Sequence, residues 1–224
     1  MSSRFVKLSH DLSPQAPRFP GNPPVEIEPR HVLERDGCNT FQISFFNHNG
    51  THVDGPWHYT SYKKPLTEYP LEQFIFSSPY VLQAPLAPGE FFGKNVVRDK
   101  EREMIQSDIL LLNTGHGKRR GQSDYLNSPI IDEELATWLR ERCPRLRCLI
   151  LDYISLTNPS KKELGERVHK ILLNRGKDDK PIFVVEDGAL SYLDCAQSLK
   201  QVFVVPWFIE GLDSLPCTII GEYR

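Results

Sequence analysis

Long apolar runs are missing from this chain. No stretch of its 224 residues approaches the ~18 consecutive apolar positions needed to span a bilayer. Met1-Ser2-Ser3-Arg4 has no apolar region behind it of the kind a signal peptide carries. A surplus of one charge is missing too. The 27 Lys and Arg against 29 Asp and Glu leave a formal net charge of -2, which gives no field for steering nucleic acid or an anionic membrane. The five cysteines (Cys38, Cys143, Cys148, Cys195, Cys217) are odd in number and have no metal-binding spacing, so a reducing cytoplasm is the expected setting. No linker, repeat or low-complexity tract divides the chain, and residues 1–224 read as one domain with a substantial core. Hydrophobic content of 39% and charged content of 25% are ordinary for a soluble globular protein.

What is present is concentrated in His48-Asn49-Gly50-Thr51-His52-Val53-Asp54-Gly55-Pro56-Trp57-His58. Three of the seven histidines and a carboxylate fall within these eleven residues, all at even positions. Imidazole nitrogens and carboxylate oxygens are the usual ligands of Zn²⁺, Mn²⁺ and Fe²⁺. Gly50 and Pro56 argue against a regular helix. On an extended chain, side chains two apart share a face at roughly 6.6 Å, so His52 and Asp54 can chelate one ion directly. His48 and His52 would be roughly 13 Å apart if fully extended, so the chain must bend between them, and Gly50 permits it. Such a set leaves a position open for water, as a catalytic metal requires. His58, beyond Pro56, is open to two readings: a fourth ligand, or a proton shuttle whose ordinary pKa of about 6.5 suits transfer near neutrality.

Along the rest of the chain strand and helix signals alternate. Phe5 to Leu8 and Thr40 to Phe45 alternate apolar and polar residues as half-buried strands do, and the second runs straight into the His48 cluster. Ile109 to Leu112, Cys148 to Leu151, Pro181 to Glu186 and Val202 to Val205 are strand-like apolar runs. Asp132 to Cys143 reads as an amphipathic helix with Leu135, Trp138 and Leu139 on one side. Ser160-Lys161-Lys162-Glu163 forms a capping box for a second helix, closed by Gly176. The 18 prolines fall mostly between these elements, which suits long ordered loops around a site. An α/β or α+β domain with helices outside a mixed sheet follows.

Two residues of this second half bear on chemistry. His169 is one position off the stripe Leu164, Val168, Ile171 and Leu172, where a polar group could point into a cavity beside the core. Glu186 ends an apolar strand, where a carboxylate is costly unless paired or metal-bound, although a strand-end carboxylate can also simply reach solvent. His10 and His31 are isolated, and His116, in Gly115-His116-Gly117, is at best a pocket residue.

The eleven-residue segment resembles the signature His-x-Gly-Thr-His-x-Asp-x-Pro-x-His of the cyclase-like metal-dependent hydrolases, best known from bacterial kynurenine formamidases, and fills every fixed position of it. Asp11-Leu12-Ser13, Phe19-Pro20-Gly21-Asn22-Pro23, Leu110-Leu111-Leu112-Asn113-Thr114-Gly115 and the late order His169, Leu172-Leu173-Asn174-Arg175-Gly176, Val184-Val185-Glu186 extend the resemblance over most of the chain. It implies an α/β domain of layered β/β/α, swivelling-domain-like arrangement with a partly barrel-like mixed sheet. It implies hydrolysis of an amide C–N bond, in a formamide or cyclic amide, by metal-activated water. His48, His52 and Asp54 would hold a first divalent ion (Zn²⁺ or Mn²⁺), and Asp54, His169 and Glu186 a second or the rest of the same site, while His58 serves as general acid/base. Phe19 falls where kynurenine formamidases carry a substrate-contacting tryptophan; it keeps an aromatic wall and loses the indole N–H. The spacing of seventeen between His169 and Glu186 exceeds the family's dozen or so, with Lys177-Asp178-Asp179-Lys180 as the insert. A small-molecule substrate and a homodimer or higher homo-oligomer are implied, with no nucleic acid or membrane partner. The rival reading is a non-haem Fe(II) oxygenase with His52, Asp54 and His169 as facial triad; it leaves His48, His58 and Glu186 without a role.

Overall fold

The computed structural model describes residues 4–174, 180–194 and 196–224. The expected helix stop at Gly176, most of the polar insert, and Cys195 lie outside the described residues. In chain order the elements are β1 (Phe5–Lys7), β2 (Glu26–His31), α1 (Leu33–Asp36), β3 (Thr40–Ser44), β4 (His52–Asp54), β5 (Ile75–Phe76), β6 (Pro79–Gln83), β7 (Phe91–Phe92), α2 (Glu101–Gln106) and β8 (Ile109–Asn113). There follow β9 (Ile130–Ile131), α3 (Glu133–Arg142), β10 (Cys148–Leu151), α4 (Lys162–Leu173), β11 (Phe183–Glu186), β12 (Leu199–Pro206) and β13 (Ser214–Tyr223).

One large mixed sheet runs β5-β12-β13-β4-β11-β10-β8-β6, with β1 also pairing β13. Strands β6, β8, β10 and β11 are mutually parallel, while β4, β13 and β12 are antiparallel to their neighbours. The sheet curls until β6 packs against β12, leaving it nearly closed. The central strands β8, β10 and β11 are apolar up to the strand-end Asn113 and Glu186, because both faces are buried. Leu110, Leu112, Leu149, Leu151 and Val184 face α3 and α4. Ile109, Leu111, Cys148, Ile150, Phe183 and Val185 fill the inside of the curl with Val202, Val204, Leu215 and Ile219. Helices outside a mixed, barrel-like sheet are the arrangement expected from the sequence.

Helix α3 forms as its sequence indicates. Asp132 is the N-cap, its side chain accepting from Leu135 N at 2.7 Å, and Leu135, Ala136, Trp138 and Leu139 are buried. Helix α4 departs from expectation twice. The Ser160 capping box does not form: the N-cap is Lys161, and Ser160 instead donates through both N and Oγ to Asn158 Oδ1, at 2.8 and 2.7 Å. An Asx turn has taken the hydroxyl that the helix end would have used. The buried face is also rotated. It consists of Gly165, Val168, His169, Leu172 and Leu173, with Leu164 and Ile171 only partly buried. His169 therefore sits within the buried face and not on its border. Gly165 carries no side chain to mark a stripe, yet it lets the helix lie directly on the loop at Thr157.

The other departure is the hairpin β2–β3. Its register opposes Ile27 to Ile43 and Pro29 to Phe41, so the alternation read from Thr40 to Phe45 is real. All eleven residues of the two strands are nevertheless exposed. Nothing in the described chain covers the Ile27, Pro29, Phe41 and Ile43 face, so the strand predicted to be half-buried is not.

A Cβ at Gly165 would stand 2.6 Å from Thr157 Cα and 2.4 Å from Thr157 Oγ1, and the backbone atom cannot swing aside. Propensity alone favours Ala over Gly inside a helix by about 1 kcal/mol. Overpacking costs about 1–3 kcal/mol and wins here. Gly165→Ala should lower the denaturation midpoint in urea, and a midpoint raised by the substitution would contradict this packing.

Candidate metal centre

Strand β4 lies between β11 and β13, and its register brings the two halves of the sequence together. His52 stands opposite Glu186 on one side and Pro216 on the other, and Asp54 opposite Val184 and Ser214. His52 and Asp54 project to the same face, as residues two apart on a strand must. The bend before them is made at Gly50, whose φ of 67° is left-handed and whose Cβ would meet Leu12 Cδ1 at 2.9 Å. That bend returns His48 so that its Nδ1 is 3.2 Å from Asp54 Oδ1. Helix α4 delivers His169 from the outer layer, with Nε2 3.3 Å from Glu186 Oε1 and 3.9 Å from Asp54 Oδ2. His52 Nε2 lies 3.6 Å from Asp54 Oδ1 and 3.4 Å from Glu186 Oε2. All five residues expected to hold metal thus converge across the wider His169–Glu186 spacing.

These separations are long for hydrogen bonds. They match donors arranged around a shared ion, since two ligands each 2.0–2.2 Å from a tetrahedral metal are roughly 3.4 Å from one another. His52 Nε2, His169 Nε2 and both Asp54 oxygens are buried without a hydrogen-bond partner among the described residues. Buried polar atoms are seldom left so, and four of them gathered at Asp54 fit one or two cations. The groups His48, His52, Asp54 and Asp54, His58, His169 each offer ligand atoms within 4.8 Å of one another.

The remaining ring nitrogens are held from outside. His52 Nδ1 contacts Gly50 O at 2.8 Å and His169 Nδ1 contacts Gly165 O at 2.9 Å. A carbonyl only accepts, so both rings carry hydrogen at Nδ1 and present a lone pair at Nε2. Glu186 Oε1 accepts from Leu156 N at 2.7 Å and Ser155 Oγ at 3.0 Å. The following residue, Asp187, has φ of 53°, and Arg120 and Tyr125 clamp its buried carboxylate.

Burial opposes charge on His48, His52, Asp54 and Glu186, and their neighbours outweigh it. His48 is raised to about 10 despite burial, because the Asp213 and Asp54 carboxylates flank it. His52 is raised by Asp54 and Glu186 against the same penalty. Asp54 is held well below the usual carboxylate range, against burial, by His58, His52 and His48, and Glu186 is lowered by His169 and His52.

Above the cluster opens a cavity of about 420 Å³, the size of a small-molecule site. His48, His58, His169 and Glu186 form part of its lining, and Phe19, Phe46, Tyr59 and Ile154 supply apolar and aromatic surface. Phe19 is therefore one of the residues that line this cavity. His116 is not among the lining residues: its Nε2 contacts Tyr125 O at 2.9 Å and its ring stacks on Tyr125, as a core histidine's would. Sequence reading missed Asp213. It precedes β13 and its Oδ2 meets His58 Nδ1 at 2.9 Å and His48 Nε2 at 3.2 Å. Gly211-Leu212-Asp213-Ser214 reads as a turn, and no local pattern ties it to histidines some 160 residues earlier, separations of 155 and 165.

A nearly closed mixed sheet with histidines and carboxylates converging at its strand ends defines a class of metal-site α/β domains. Within that class the chain belongs to the cyclase family: the family model described as "Putative cyclase" matches residues 6–157. Kynurenine formamidase of Bacillus cereus (strain ZK / E33L) is 23% identical over 216 residues, covering 96% of this chain and 95% of that protein. That of Bacillus anthracis is 24% identical over 216 residues, with the same coverage. Isatin hydrolase A from Labrenzia aggregata bound to benzyl benzoate superposes with a TM-score of 0.82 at 22% identity, covering 97% of this chain and 93% of that one. An isatin hydrolase bound to the product analogue thioisatinate gives a TM-score of 0.80 at 18% identity, covering 98% and 92%. These superpositions establish the shared fold.

Because His48 is raised to about 10, its Nδ1 carries a proton at neutral pH in the metal-free protein, and a metal must displace it. Affinity for zinc should therefore rise with pH, by about tenfold per unit for each proton displaced, and level off near pH 10. Glu186 adds no pH dependence near neutrality, since its pKa is lowered. Competition titration against a chromophoric chelator at about pH 6 and about pH 8 measures the slope; a flat profile would mean that no protonated histidine is displaced.

Proposed function

We propose that this chain is a metal-dependent amidohydrolase that cleaves the C–N bond of a formamide or cyclic amide attached to an aromatic ring. The observation that carries the reading is the cluster of buried, unpartnered donor atoms on His52, Asp54 and His169 directly beneath an aromatic-walled cavity. His48, His52 and Asp54, with His169 and Glu186 on the other side of Asp54, would hold one or two divalent ions of the Zn²⁺ or Mn²⁺ type. Bound there, such an ion supplies a water whose pKa falls from 15.7 towards about 7 and polarises a carbonyl.

The chain's own residues do the rest. Phe19, Phe46 and Tyr59 wall the cavity and would take the flat face of an aromatic substrate. His58 lies beside the cluster with its Nδ1 on Asp213, which leaves Nε2 as the nitrogen for proton transfer. As general base it takes the proton from attacking water; as general acid it returns it to the leaving nitrogen, so that amide and water give carboxylate and amine. Relatives named kynurenine formamidase and structural neighbours named isatin hydrolase open a formamide and a cyclic amide respectively, which supports the bond type. The oxygenase reading would leave Glu186 and His48 as bystanders, although His48 lies against Asp54 and Glu186 against His169.

A cytoplasmic homodimer completes the reading. No described helix is long and apolar enough to cross a membrane. An isolated two-stranded hairpin is marginal in water, and β2–β3 shows Ile27, Phe41 and Ile43 at 42%, 59% and 50% exposure. Trp207, Phe208 and Ile209 are exposed as well. A second copy can cover the hairpin face reciprocally about a two-fold axis.

Purified protein assayed against N-formylkynurenine, isatin and a lactone, with its metal content measured, tests the activity. His58→Ala should keep its metal and lose about 10²–10⁴-fold in kcat. Metal lost with normal turnover per ion retained would make His58 a ligand instead. Replacing Phe41 and Ile43 together by Lys should convert a dimer to a monomer in sedimentation equilibrium; an unchanged mass would place the interface elsewhere.

A further inference from the structure

We infer that Asp213 is a positioning residue that sets the tautomers of His48 and His58 through a single carboxylate oxygen. What His58 then does rests on the hydrolytic reading above; the orientation of the two rings rests on geometry alone. Asp213 is fixed at the start of β13, where its backbone carbonyl accepts from Gly55 N at 2.9 Å, one residue after the ligand strand β4. Its Oδ1 accepts from Asn47 Nδ2 at 2.9 Å. Its Oδ2 faces His58 Nδ1 at 2.9 Å and His48 Nε2 at 3.2 Å, and the two rings lie with centroids 4.2 Å apart.

A carboxylate can only accept, so both facing ring nitrogens carry hydrogen. His58 is then the Nδ1–H tautomer, with the lone pair at Nε2 available for proton transfer. His48 keeps its hydrogen at Nε2, so that Nδ1, 3.2 Å from Asp54 Oδ1, is the nitrogen that gives up its proton to a metal. Outer carboxylates commonly orient ligating histidines in this way. Here one oxygen would orient a ligand and the proton shuttle together, so that the same group couples the metal side of the site to its acid/base side.

An amide cannot replace it. If the oxygen of an asparagine at 213 faced the histidines, its NH₂ would meet the Asn47 NH₂. If its NH₂ faced them, both rings would have to accept there, and the tautomers would invert. Asn47, whose Nδ2 also donates to Ser214 O at 3.2 Å and so resists turning over, is the second half of the device, because it denies the amide the harmless orientation.

The test uses zinc-loaded protein with ¹⁵N-labelled histidine and reads the ring tautomers from long-range ¹H–¹⁵N correlations. Wild type should show His58 as Nδ1–H and His48 as Nε2–H with Nδ1 on zinc. At saturating zinc, Asp213→Asn should keep its metal stoichiometry and shift His58 to Nε2–H. On whichever of N-formylkynurenine or isatin the wild type hydrolyses, kcat should fall about 10²–10⁴-fold with KM little changed. A wild-type His58 already protonated at Nε2 overturns the inference without recourse to any variant. So does a wild type with zinc on His48 Nε2, or an Asp213→Asn protein that retains both tautomers. The stated tautomers in a wild type that hydrolyses neither compound would uphold the positioning and remove only the hydrolytic reading.

Discussion

Asp54, whose two carboxylate oxygens are buried and make no hydrogen bond of ordinary geometry among the described residues, is the constraint on which the rest of the site depends. An ionised group taken out of water without compensation costs many kcal/mol, so positive charge must surround it. Three histidines and the point at which a cation would sit do so, from three separate parts of the fold. His48 arrives by the bend at Gly50, His52 along the same strand, and His169 from a helix in the outer layer. Every one of these approaches is fixed by backbone packing: a left-handed glycine, the pleat of β4, and the contact of Gly165 with Thr157.

The acceptors that hold the outer ring nitrogens follow the same logic. Two are carbonyls, Gly50 O and Gly165 O, belonging to the very glycines that make the close approaches possible. The third acceptor is Asp213, brought in because β13 pairs β4 one residue further on. A site assembled in this way is rigid before anything binds, which is what a metal geometry and a proton-transfer distance both require. The cavity above it is less constrained, with the exposed side chains Lys162 and Glu166 of α4 at its margin beside the aromatic wall. The clustered groups come from β4, β11, the turns beside them and the buried face of α4, while the exposed face of α4 and the loops form the margin of the cavity.

The hairpin β2–β3 connects this site to the molecular surface. Strand β3 ends at Ser44, and Phe46, two residues on, lines the cavity, while Phe45 packs edge-on against Trp207. Its apolar face, uncovered by any described residue, is thus contiguous in sequence with His48, the first histidine of the cluster. Alternation in Thr40 to Phe45 correctly gave a strand with one apolar side, but periodicity reports only that a face is apolar, not what covers it.

The sequence alone determined the half of the site that is local. Spacing of two on an extended chain put His52 and Asp54 on one face, and Gly50 announced the bend that returns His48, because both effects act within a few residues. It also determined the buried strands Ile109 to Leu112 and Cys148 to Leu151 and the helix after Asp132, whose apolar periods are strong. The long strand β13, the near closure of the sheet and the register that sets Glu186 against His52 were decided only by tertiary pairing, since hydrogen bonds between distant strands leave no periodic trace in either one. The same is true of His169, whose helix face was misread by one position because a glycine that packs backbone against backbone contributes nothing to a hydrophobic stripe. Asp213 is the extreme case: a turn residue in the sequence, it becomes the partner of two histidines only when β13 comes to lie beside β4.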